Sequence, residues 1–167
     1  WAITLGLEPK LQTLNLALSK QLLFPINMIK FDLNSTDPSA ALAFEFWLDD
    51  RCVYQNEHVA HAETIACAMP SDNAEHVIRW VLKNKQAEHT VIDSKGVVIQ
   101  DASLIVKNIS FDDIKLTHEL LELIVYQHNF NGTGPDTEQK FYGELGCNGQ
   151  AKLIFSTPLH MWLLDNM

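Results

Sequence analysis

Apolar positions along the chain follow two rhythms, and the change falls at Met28. Over residues 8–23, with Leu7 just ahead, Leu7, Leu11, Leu14, Leu18 and Leu22 recur at steps of three and four, the interval of one helix face, and Pro9 suits a first helical turn. Leu14, Leu16 and Leu18 also alternate as a strand does. Ser19-Lys20-Gln21 continues the helical polar face, so a helix is predicted, with an edge strand that pairs with a neighbouring subunit as the competing arrangement.

From Met28 the period becomes two. Ile29, Phe31 and Leu33 share one face up to the polar loop from Asn34 to Ser39. Leu42, Phe44, Phe46 and Leu48 then alternate with Ala43, Glu45 and Trp47, Asp49-Asp50-Arg51 turns the chain, and residues 52–55 return it. A further strand is predicted over residues 63–69. Beyond the breaker Pro70-Ser71-Asp72-Asn73, His76, Ile78, Trp80 and Leu82 alternate with Val77, Arg79 and Val81, a segment apolar on both faces and therefore central. Residues 90–92 and 97–99 flank Asp93-Ser94-Lys95-Gly96, a hairpin turn with glycine where positive φ is easiest. Leu104, Val106, Ile109 and Phe111 lead on toward Ile114 and Leu116.

Residues 117–126 fit either a short helix started by Thr117 or a strand over 123–126. A polar, glycine-bearing loop is predicted from His128 to Lys140, then Phe141-Tyr142, a strand over 151–156 and the apolar run 159–164. No internal repeat appears. Eight or more short strands, separated by turn signals roughly every ten residues and by no long helices, predict an antiparallel β-sandwich or jelly roll with one or two short helices. It would occupy residues 28–167, with residues 1–27 as an N-terminal arm or extension.

Charge narrows the function. Twelve Lys and Arg against twenty-one Asp and Glu give a net charge of -9, which repels phosphate backbones and anionic membranes. Only Lys83 and Lys85 among the basic residues lie close together, so nucleic acid and membrane are excluded as expected partners. No apolar run reaches the ~18 residues of a membrane span, and no signal peptide is recognised, so a soluble chain is expected. Cys52, Cys67 and Cys147 form no metal-binding spacing and are read as reduced thiols, with a Cys52–Cys67 bridge left open.

Candidate chemistry is sparse. His58 and His61 are the one close histidine pair, but a step of three in a strand sends them to opposite faces, and no third ligand follows. The aspartates sit mostly in predicted turns, where backbone hydrogen bonding accounts for them. No cofactor is expected, and Asp112 and Asp113 are the best-placed candidates should a calcium ion bind. No nucleophile elbow, phosphate loop or partnered cysteine is present, so no enzyme is expected. Three sequons, at Asn34, Asn108 and Asn131, matter only in a glycosylating compartment. Trp47 and Tyr54 are the candidate ligand-binding residues, as flat faces for sugar rings; Trp80 and Tyr126 are the other aromatics considered, and Trp80 lies in the doubly apolar segment and reads as core. Trp47 falls opposite the apolar face of its strand, exposed or covered by a second subunit.

Two resemblances follow from these segments. FEFWLDDRCVYQNEHV, AEHVIRWVLKNK and LIVKNISFDDIKL, within residues 41–116, resemble the jelly-roll carbohydrate-binding modules. Residues 28–167, with KNKQAEHTVID and the closing KFYGELGCNGQAKLIFSTPLHMWLLDNM, are similar to small virion-associated proteins of tailed phages of marine bacteria and cyanobacteria. The second implies a non-catalytic structural or assembly protein of a virus particle, on capsid or tail, as a homo-oligomer or bound to capsid or tail proteins. Leu7, Leu11, Leu14, Leu18 and Leu22 would then make the assembly contact. The first implies the alternative, a module recognising host-surface glycans.

Overall fold

A computed structural model describes residues 27–167. Their strands are β1 (Met28–Ser35), β2 (Ala43–Leu48), β3 (Arg51–Asn56), β4 (Glu63–Ala68), β5 (Glu75–Lys83), β6 (Thr90–Ile92), β7 (Val98–Asp101), β8 (Leu104–Phe111), β9 (Ile114–Lys115), β10 (Val125–His128), β11 (Thr137–Lys140), β12 (Glu144–Leu145) and β13 (Gly149–Ser156). Two short helices, α1 (His118–Leu121) and α2 (Leu159–Asn166), interrupt them. The leucines assigned to the arm, Leu7, Leu11, Leu14, Leu18 and Leu22, lie outside the described residues.

All pairings are antiparallel and form a β-sandwich. One sheet runs β12-β8-β1-β4, with β9 folded back on β8; the other runs β11-β10-β13-β5-β2-β3; β6 and β7 make a separate two-stranded ribbon. Alternation decides which side chains meet between the sheets. Ile29, Phe31 and Leu33 of β1 and Val106 and Phe111 of β8 face Phe44, Phe46, Ile78, Trp80, Leu153 and Phe155 of the second sheet, all at most 1% exposed. Their rings interlock edge to face: Phe31 lies 4.9 Å from Phe46 and 6.0 Å from Trp80, centroid to centroid.

Local irregularities have readable causes. Leu104 and Val106 are separated from Ile109 and Phe111 by a step of three because β8 bulges against β1 at Asn108, whose φ is 53°. That extra residue returns the apolar positions to the core side. Asp112 and Asp113 form the two-residue β8–β9 turn, both at positive φ. In the β6–β7 ribbon the Asp93 carboxylate accepts from the Lys95 and Val97 amides, and Gly96 takes φ 81°.

Two sequence expectations change. Residues 117–126 contain both alternatives, one helical turn at α1 and a strand beginning at Val125. The predicted loop from His128 to Lys140 is shorter, because Thr137–Lys140 pairs along β10 as the edge strand β11. Its sequence, Thr-Glu-Gln-Lys, carries no apolar residue, so periodicity had nothing to register there. Lys85 is 3% exposed, with Nζ on Asp101 Oδ1 at 2.6 Å and on the Gly146 carbonyl, tying the base of the ribbon to the sandwich.

Candidate functional site

The solvent side of the second sheet carries a row of polar side chains beside a tryptophan. Because Tyr126, Ala151, Trp80 and Phe46 turn inward, their neighbours along each strand turn outward. Register then lines those neighbours up in two lateral rows. Glu138, Gln127, Gln150, Val81, Glu45 and Gln55 are successive partners across the six strands. Beside them run Lys140, Val125, Lys152, Arg79 and Trp47.

The first row is tied together by side chains. Gln150 Nε2 donates to Gln127 Oε1 at 2.9 Å, and Gln127 Nε2 donates to Glu138 Oε1 at 2.7 Å. Gly149 permits the close approach this needs, since a Cβ there would collide with the Gln127 carbonyl. At the far end Glu45 accepts from Trp47 Nε1 at 2.8 Å and from Lys83 Nζ. Burial pushes the Glu45 carboxyl up, but hydrogen bonds from Lys83 and Trp47, with the Lys83 charge, more than reverse this and hold it below the usual carboxylate range. It is therefore an anion at neutral pH.

Three adjoining depressions follow these rows. One of about 750 Å³ is lined by Val81, Gln127, Glu138, Gln150 and neighbours; one of about 200 Å³ by Glu45, Trp47, Arg79, Val81 and Gln150; one of about 380 Å³ reaches Val125, Lys152, Ile154 and Trp162. Shared lining residues make them one furrow from β2 to β11, about 19 Å at ~4.8 Å per strand spacing. Trp47 stands half-buried at one end, with the Arg79 guanidinium 5.5 Å from its ring centroid.

Tyr54 does not share this face. It is the register partner of Phe46, packs 6.2 Å from Phe44, and donates its hydroxyl to Glu63 Oε2 at 2.7 Å. Burial, and then the Glu63 hydrogen bond, push its pKa up to about 12. Trp47 and Tyr54 therefore lie on opposite faces of one hairpin and make no common platform, because the β2–β3 bulge inserts Val53 between their register positions.

The remaining candidates are dispersed. Asp112 Oδ1 accepts from the Met28 amide at 2.7 Å, and Asp113 Oδ1 pairs with Lys30 at 2.6 Å. His58 Nε2 contacts the Pro38 carbonyl at 2.8 Å, and His61 is exposed. Among the described residues no three His, Cys, Asp or Glu side chains gather as a metal ion requires. Cys52, Cys67 and Cys147 are free thiols.

Sequence reasoning missed Gln127, Glu138, Gln150, Arg79 and Lys152. One signal was present: Arg79 is the single charge between Val77 and Val81 in a segment otherwise apolar on both faces. The glutamines gave none, since polar residues alternating in a strand are what any solvated face shows.

No protein-family model matches the chain, and no curated protein matches it. Among solved structures it is similar to vCBM60 in its selenomethionine form, described in a study of a circular-permutation link between two families of calcium-dependent carbohydrate binding modules. The TM-score is 0.49 at 12% identity, covering 76% of this chain and 89% of that one. It is likewise similar to vCBM60 in complex with galactobiose, with TM-score 0.44 at 12% identity, covering 76% of this chain and 97% of that one.

Proposed function

We propose that the chain is a non-catalytic glycan-binding module whose ligand lies in the furrow across the second sheet. The observation that supports this is the Glu138–Gln127–Gln150 side-chain ladder running toward Trp47. A sugar ring offers apolar C–H faces and a rim of hydroxyls that both donate and accept, so it needs an aromatic side chain beside mixed donors and acceptors. Each amide spends only part of its capacity on the ladder, leaving hydrogens and lone pairs for a ligand. The ladder also fixes the glutamine rotamers before binding, which lowers the ordering cost. The length of the furrow suits an oligosaccharide better than a single ring.

Retention on a panel of neutral and acidic polysaccharides in affinity gel electrophoresis tests this. Trp47→Ala is expected to weaken binding about thirtyfold, ~2 kcal/mol, whereas Tyr54→Phe leaves it unchanged. A folded chain that no glycan retards overturns the proposal.

The β6–β7 ribbon favours a second role, assembly with protein partners, to which a place on a virus particle would belong. Val91, Ile92, Val97, Val98 and Ile99 are 42–66% exposed on it, a concentration of β-branched side chains beyond the scatter of a normal surface. Light scattering over a concentration series checks it: association lost in Ile99→Lys supports assembly, and a monomer throughout removes it.

A further inference from the structure

We infer that the furrow is built for an acidic glycan, one whose rings carry a carboxylate as uronic acids do. The inference rests on the glycan-binding proposal and names the class of ligand.

Arg79 and Lys152 are direct cross-strand partners on the open face. Like charges so placed repel one another and destabilise a sheet. Their surroundings do little to relieve this. Among the described residues Lys152 pairs with no carboxylate, while Lys83 and Lys140, the other cations on this face, have Glu45 and Glu122. Among the described residues the polar partners of the Arg79 guanidinium are Asp50, at 3.8 Å and fully in solvent, and the Asp49 carbonyl. The one carboxylate lining the depression beside Arg79, that of Glu45, is already taken up by Lys83 and Trp47.

The guanidinium is also incompletely used. Arg79 Nε is buried with no hydrogen-bond partner, because the group lies over the Trp47 ring and reaches toward the turn at Asp49. An unmet buried donor is costly, and the fork of Nε and a terminal nitrogen matches a carboxylate. The depression lined by Glu45, Trp47, Arg79, Val81 and Gln150 lies beside it. A ring carboxylate entering there meets the guanidinium and supplies the missing acceptor, with Lys152 on the adjacent strand adding positive charge. Drawing the guanidinium off Trp47 frees that indole face for the sugar ring. Neutral sugars accomplish neither change, which is why the carboxylate sets the preference.

Calorimetry on the full chain decides it, with oligogalacturonides and oligoalginates as ligands, each beside its carboxyl-reduced, neutral counterpart, and with a sulfated galactan oligosaccharide. The acid form is expected to bind at least tenfold tighter than its reduced form, with affinity falling as salt rises. Lys152→Gln should shrink that preference severalfold, while Lys107→Gln, on the other sheet, leaves it intact. Thermal melting of both variants confirms that they fold. Equal or tighter binding of the reduced oligosaccharides, or enhancement by sulfate without enhancement by carboxylate, overturns the acidic preference and leaves glycan binding standing. Failure to bind any of these glycans or the neutral panel overturns both.

Discussion

The solvent faces of the two sheets are made by the same alternation and end in opposite electrostatic states. On the first sheet Asp32 faces Lys107 as its register partner and accepts hydrogen bonds from Asn108 at 2.6 Å and Thr64 at 2.7 Å. Lys115 donates to Asn108, and Lys30 pairs with Asp113. Charge meets opposite charge, and the polar groups are answered from within. On the second sheet the corresponding central pair is Arg79 with Lys152, beside a half-buried tryptophan and a buried donor without an acceptor. A face that satisfies itself gains nothing from a ligand. One that leaves like charges as cross-strand partners and a buried donor unmet beside a furrow keeps free energy available for binding, which is the ground for proposing the site on the second sheet.

That contrast can be broken deliberately. The largest effect is expected from Asp32→Lys, which gives the first sheet a like-charge pair opposite Lys107 and removes two hydrogen bonds. Urea denaturation should show a loss of about 1–2 kcal/mol, small for a polar deletion because the site is open to water, with glycan binding unaltered.

Next in size is a difference in pH response. The Asp32 carboxyl is held below the usual range by its hydrogen bonds from Asn108 and then Thr64, so its contribution is present above the unfolded value of about 3.9 and fades as pH falls. The second sheet adds an alkaline limb. His76, 7% exposed, has Nδ1 on Asp49 at 2.9 Å and Nε2 on Asp72 at 2.8 Å, and both bonds require both ring nitrogens to carry protons. Burial pulls its pKa down, but the hydrogen bonds to Asp72 and Asp49 and their charges more than reverse this, so it lies above the ordinary histidine value. With a raised folded value, the contribution is complete below the unfolded value of about 6.5 and is lost as pH rises through the folded one. Melting curves from pH 6 to 9 should decline by on the order of 1 kcal/mol, the loss of one such bond. In His76→Gln that decline should vanish.

The smallest effect runs the other way. Lys152→Glu replaces repulsion with attraction opposite Arg79 and is expected to stabilise the fold by about 0.5 kcal/mol while removing the preference for acidic glycans. A stability loss there instead would mean that the cationic pair is already compensated.

Much of the sandwich was legible beforehand because alternation is a local property. The apolar sets 29, 31, 33 and 42, 44, 46, 48 and 78, 80, 82 identify strands and inward faces without reference to any neighbour. The same periodicity marked Trp47 as outward-facing, and the aspartates near residues 49 and 93 marked turns that the backbone forms, whereas the turn at Asp112-Asp113 interrupts a run expected to lead on toward Leu116. Where the chain lacked apolar residues, as at Thr137–Lys140, the strand was invisible, since sheet pairing alone defines it.

The candidate site itself was assembled by register. Gln127, Gln150 and Glu138 lie up to 23 residues apart in sequence, and nothing local to any of them says that they hydrogen-bond in a line. A bulge of one residue put Tyr54 on the face opposite Trp47, which no spacing rule reveals. Lys85 is similar: adjacent in sequence to a solvated stretch, it is buried because Asp101 and the Gly146 carbonyl arrive from elsewhere in the fold. The sequence by itself determined which residues face inward and where the chain turns, because sterics and hydrophobic burial act over a few residues. Only the tertiary structure decided which outward side chains became neighbours, because cross-strand pairing joins positions that the chain keeps apart.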